Sequence, residues 1–170
     1  MPPTRIDSYH FSPDTAEFLR LLHEHGVRYL IIGGEAVIFH GHVRLTGDVG
    51  FFFDGSGENA RRLFNALAQF WTGAIPGIAA SEELSREGLI LQFGRPPNRI
   101  DLVNRIDGVA FADAWATKTE ARLAGQVGEI PIYYLGLDAL IRNKAAVGRP
   151  RDLEDLEYLK RAARPKRADR

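Results

Sequence analysis

The chain has 170 residues, of which 45% are hydrophobic and 26% charged, and it contains no cysteine. This mix suits one globular domain with a core of its own and excludes a disordered tail, disulfides, thiolate metal sites and cysteine catalysis. Lys plus Arg number 22, as do Asp plus Glu, so the molecule as a whole offers no net field to a nucleic acid. No apolar run reaches the roughly 18 residues of a membrane span and no apolar leader follows Met1, so a cytoplasmic protein without membrane contact is expected.

Residues 1–13, with Pro2, Pro3 and Pro13, read as an irregular arm. Asp14 stands at an N-cap position, and Phe18, Leu21 and Leu22 give one apolar helical face up to His25, where Gly26 ends the helix. Residues 27–32 are too continuously apolar for an exposed strand and read as a buried one. After Gly33 and Gly34 comes a short helix over 35–40, then a strand over 48–54. Leu63, Phe64, Leu67 and Phe70 mark a helix over 57–70, followed by a loop over 72–80. Strands at 89–93 and 99–103 form a hairpin, because Pro96 and Pro97 forbid a continued ladder between them. A short helix over 111–115, strand segments within 127–134, and helices over 137–147 and 152–162 complete the domain of residues 14–162. Residues 163–170 belong to a basic tail: from Arg161 to Arg170 there are five basic residues and one acid. The alternation of elements implies an α/β (α+β) fold, a mixed β-sheet covered by helices.

Chemistry concentrates at a few positions. Gly33 and Gly34 lie between a strand and a helix start, where free amides favour an anion such as phosphate, although such pairs also serve as plain tight connections. Alternation places Asp48, Gly50, Phe52 and Asp54 on one face of their strand, with Val49, Phe51 and Phe53 on the other. Asp101 is flanked by Ile100, Leu102 and Val103, so its charge needs a partner: a ligand, or an arginine such as Arg99 or Arg105. Arg142, Lys144, Arg149 and Arg151 form an acid-free basic stretch, in which Lys144 sits among Leu140, Ile141, Ala145 and Ala146 with its stem packed. The five histidines include no pair at helical i, i+4 spacing, and no serine elbow or Walker-type loop occurs. His40 reads as a packing or hydrogen-bonding residue behind the glycine pair.

Gly33-Gly34-Glu35-Ala36-Val37, His40, Arg44, Thr46, Asp48, Ile100-Asp101-Leu102, Ile106-Asp107-Gly108-Val109, Trp115, and Leu140-Ile141 through Lys144, Arg149, Asp152 and Asp155 together carry a resemblance. The chain resembles the nucleotidyltransferase superfamily over residues 27–160, in particular the small bacterial branch that includes the AbiEii-type toxins. The resemblance implies a polymerase-β-type core with C-terminal helices and metal-assisted nucleotidyl transfer. It also implies Asp48 and Asp101 as catalytic, metal-holding carboxylates for magnesium or manganese. Gly33, Gly34, Arg44, Thr46, Lys144 and Arg149 would then bind the nucleoside triphosphate. Carboxylates fixed on rigid strands suit that chemistry, since two metal ions clamp the attacking and leaving oxygens.

The pattern departs at Gly50, where the family has its second aspartate. On the same face Asp54 lies about 20 Å from Asp48 at roughly 3.3 Å per residue, too far to replace it. Glu35 is another donor to consider, and a one-metal site is compatible with magnesium chemistry. Three readings follow. The chain transfers a nucleotidyl group from a triphosphate to an RNA or protein acceptor, in a toxin-like role; or it is a catalytically degenerate nucleotide-binding module; or it is a partner-binding domain, such as one half of a pair with an antitoxin-like protein.

Overall fold

The computed structural model describes residues 2–165. The proline-rich start is not wholly irregular: Thr4–Ile6 forms strand β1, which lies parallel to a later strand at the sheet edge. Helix α1 (Pro13–Glu24) is capped by Ser12 rather than Asp14, because the Ser12 hydroxyl accepts a hydrogen bond from the Thr15 amide at 3.2 Å. Pro13, which has no N–H to satisfy, suits the first helical position, and Asp14 adds a favourable charge in the first turn. Such a cap contributes about 1 kcal/mol.

Strand β2 (Tyr29–Ile32) runs into the seven-residue helix α2 (Gly33–Phe39), and strand β3 (Asp48–Phe53) runs antiparallel beside β2. Helix α3 (Gly57–Phe70) has the bounds its apolar spacing predicts. Strands β4 (Ile90–Phe93) and β5 (Arg99–Val103) form the expected hairpin, with Phe93 opposite Ile100. Helix α4 (Phe111–Ala116) is followed by two strands, β6 (Thr119–Gly125) and β7 (Gly128–Tyr134), paired as a second hairpin. The sequence expectation covered β7 alone. Ala121 and Leu123 point inward between Glu120, Arg122 and Ala124, which gives β6 the half-buried alternation of a strand with one polar face. Helices α5 (Leu137–Val147) and α6 (Pro150–Ala162) close the chain, and Ala163 caps α6. The part of the basic tail over 166–170 lies outside the described residues.

The sheet is mixed, as expected, in the order β1-β6-β7-β2-β3-β5-β4. Strand β3, inside the sheet between β2 and β5, is buried on both faces, which is why Phe51, Phe52 and Phe53 are all inaccessible. Phe51 meets Phe18 of α1 edge-on at 5.2 Å, and Phe52 meets Phe111 of α4 at 5.1 Å, so helices cover both faces. Each such ring contributes roughly 1.5–3 kcal/mol through burial. This packing fixes the polar start of β3, Asp48 to Gly50, against β5. Among the described residues no helix is long and apolar enough to cross a membrane.

Candidate functional site

Strands β3 and β5 are parallel, with Asp48 opposite Arg99 and Gly50 opposite Asp101. Because facing residues share a side of the sheet, these four form a two-by-two patch with the acids on one diagonal. Arg99 joins that diagonal. Its Nη2 donates to Asp48 Oδ2 at 2.8 Å and to Asp101 Oδ2 at 3.1 Å, while its Nε donates to Asp101 Oδ1 at 2.9 Å. Thr46 Oγ1 reaches both the Asp48 carbonyl at 3.2 Å and Asp48 Oδ1 at 3.3 Å with its one proton, so Arg99 is the principal donor to the acidic pair. Burial and the Asp48 carboxylate push Asp101 above the ordinary carboxylate value. Burial also acts to raise Asp48, but Asp101 and Arg99 outweigh it and hold Asp48 below that value.

The fourth corner, Gly50, faces Ile32 of β2. A Cβ placed there would lie 3.1 Å from Ile32 Cγ1, a tight contact that Ile32 would have to relieve by a few tenths of an ångström. Glu35 does not complete the set either: its Oε2 lies 2.9 Å from His10 Nε2 of the N-terminal arm. Asp54 instead accepts from the Ser56 amide and hydroxyl at 3.0 and 3.2 Å, just before α3. Among the described residues no group of three or more His, Asp or Glu side chains is gathered so as to hold a metal ion. Two carboxylates already shared by one guanidinium do not fit the magnesium or manganese site that the sequence resemblance implies.

Beside this patch opens a cleft of about 660 Å³. Gly33, Gly34, Arg44, Thr46, Lys144 and Arg149 all line it together with Asp48, Arg99 and Arg151, whereas Asp101 does not and is linked to it through Arg99. Residues more than a hundred positions apart, such as Gly33 and Arg149, are thus brought to one place. The glycines differ in role. Gly33 has φ +66° and open space around its missing side chain; Gly34 packs against Thr46 and Arg44.

The basic residues are not equally free. Lys144 Nζ is buried, 3.0 Å from both Asp152 Oδ1 and Asp155 Oδ2. Arg44 clamps Asp155 with two hydrogen bonds of 2.9 and 3.0 Å, and Arg149 Nε donates to Asp152 at 2.7 Å. Lys144 and Arg44 therefore tie α5, α6 and the loop before β3 into one wall. Arg149, with its side chain 75% exposed, keeps most of its surface toward solvent. The sequence names Arg99 among the arginines to pair with Asp101, as it does, but not as the bridge to Asp48, nor Asp152 and Asp155 as counter-charges. The signal for Arg99 was present, since it sits two residues from Asp101 on the same strand face. His40 Nε2 lies 2.9 Å from the Leu135 carbonyl, within the packing or hydrogen-bonding role expected of it.

In comparisons with known proteins, no family model matches this chain and no curated protein is significantly similar to it.

Proposed function

We propose that the protein binds a nucleoside triphosphate through its phosphates in the cleft beside β3 and does not transfer the nucleotidyl group. Supporting the binding half is the composition of the wall, where five basic side chains and two acidic ones face the cleft. Guanidinium groups are the side chains best matched to phosphate, which they bind bidentately. The observation that carries the reading is the corner at Gly50. It lacks the carboxylate that in-line displacement would need, it packs tightly against Ile32, and the two remaining acids are bridged by Arg99.

Thermal unfolding with each of the common nucleoside triphosphates tests binding. A ligand at 100 times its Kd should stabilise the fold by about 2.7 kcal/mol. No shift with any triphosphate would overturn the binding half. Incubation with triphosphates labelled at the α-phosphate, in cell extract supplemented with magnesium, tests the other half. No labelled RNA or protein is expected from the natural chain, and a labelled product would establish nucleotidyl transfer instead.

A further inference from the structure

Arg99 has five N–H donors, and three of them are spent on Asp48 and Asp101. The two on Nη1 have no partner among the described residues, on a side chain that lines the cleft. We propose that Arg99 is the resident cation of this patch, in the place of a divalent metal, and that the cleft takes its nucleotide as the metal-free polyphosphate. This rests on the nucleotide-binding reading above and adds to it the form of the ligand.

Three observations lead here. First, magnesium demands near-octahedral oxygen ligands at about 2.0–2.1 Å. An ion set between Asp48 and Asp101 would have to displace Arg99, whose guanidinium bridges the two carboxylates. Second, the corner that would add a further carboxylate is Gly50, packed under Ile32. Third, a bare polyphosphate needs cationic donors that reach the cleft. Arg151 lines it with no ion pair among the described residues, and Arg149 and Arg99, although paired with carboxylates, keep exposed surface and, at Arg99, the unused Nη1. Arg99 thereby does two things at once: it offsets one of the two negative charges of the acidic pair that would otherwise repel phosphate, and it offers the two N–H groups of Nη1 to the incoming oxygens.

Manganese resonance measures the first part on the natural protein without nucleotide. The signal of free Mn²⁺ should be undiminished by added protein, and sequestration of the ion would overturn the assignment. Thermal shift with ATP measures the second part. The shift should be as large in EDTA as in magnesium, and its abolition by EDTA would overturn the metal-free form. The variant Arg99→Gln, shown by circular dichroism to be folded, should lose the shift in EDTA; an unchanged shift would remove Arg99 from the site. If no nucleotide gives a shift under any condition, the binding reading fails, while the manganese result still decides whether Arg99 or a metal holds the acidic pair.

Discussion

A methyl group on Gly34 would lie 2.7 Å from Thr46 Oγ1 and 2.9 Å from Thr46 Cβ, distances at which backbone or side chain must move. We therefore expect Gly34→Ala to destabilise the fold by about 1–3 kcal/mol in urea unfolding, the usual cost of overpacking. Thr46→Gly in the same chain should recover part of that loss. No recovery would mean that Thr46 is not the obstacle. The glycine pair was legible in the sequence as a turn before a helix, but the close approach of Thr46 was not, because it is a contact made only once β3 is paired to β2. His10 carries a second expectation at this scale. Its hydrogen bond with Glu35 raises its pKa above 6.5, against the opposing effect of burial. A histidine whose folded value is raised stabilises most when protonated in both states. The contribution is therefore fully present below pH 6.5 and disappears as pH rises through the folded value. Midpoints of thermal unfolding should fall over that window in the natural chain, and His10→Gln should flatten this part of the profile.

At the scale of elements, α5 and α6 are joined by charge as much as by apolar contact. Lys144 on α5 reaches Asp152 and Asp155 on α6, all three nearly inaccessible, and Arg44 and Arg149 complete the cluster from outside. Removing one partner of a buried pair leaves its counter-charge unsatisfied, at a cost of about 3–5 kcal/mol. Because each aspartate keeps one arginine, Lys144→Met should fall near the lower end of that range in denaturant unfolding. A loss under 1 kcal/mol, about the value of an exposed pair, would show that the cluster is wet rather than buried. The sequence displayed the cations of this cluster clearly as an acid-free stretch from Arg142 to Arg151. Its acids begin one residue later, and the left-handed turn at Gly148 (φ +66°) folds α6 back so that they face the lysine. A linear window cannot show that return, nor that Arg44 arrives from 111 residues away.

For the whole molecule, the sheet has one narrow seam. Strands β2 and β7 meet in register only at Ile31 and Tyr134, extended by the Leu135 amide donating to the Ile31 carbonyl at 3.0 Å. On one side lie β1, β6 and β7, and on the other β2, β3, β5 and β4. Patterning in the sequence placed the second group well, since its strands are continuously apolar or form a proline-marked hairpin. It saw less of the first group, where β1 is only three residues and β6 carries charges on its outer face. What holds the two groups together is side-chain packing: Tyr134 stacks on Phe39 of α2 at 4.0 Å, and Tyr29 meets Tyr133 edge-on at 5.8 Å. Truncating a buried aromatic to alanine costs about 3–5 kcal/mol, and at Tyr134 that loss would fall on the seam itself. The two tryptophans make this measurable, because Trp71 packs against Phe93 of β4 and Trp115 against Tyr133 of β7. Replacing each in turn by phenylalanine leaves one reporter at β4, Trp71, or one at the seam, Trp115, which meets Tyr133 of β7 as well as Arg28 beside β2; for Trp71 this removes a buried N–H with no partner among the described residues. The two fluorescence transitions should coincide in urea for the natural background, as expected of a two-state domain. They should separate in Tyr134→Ala, with the Trp115 signal changing at lower denaturant. Coincidence in that variant as well would mean that the helices, rather than the β2–β7 seam, make the domain cooperative.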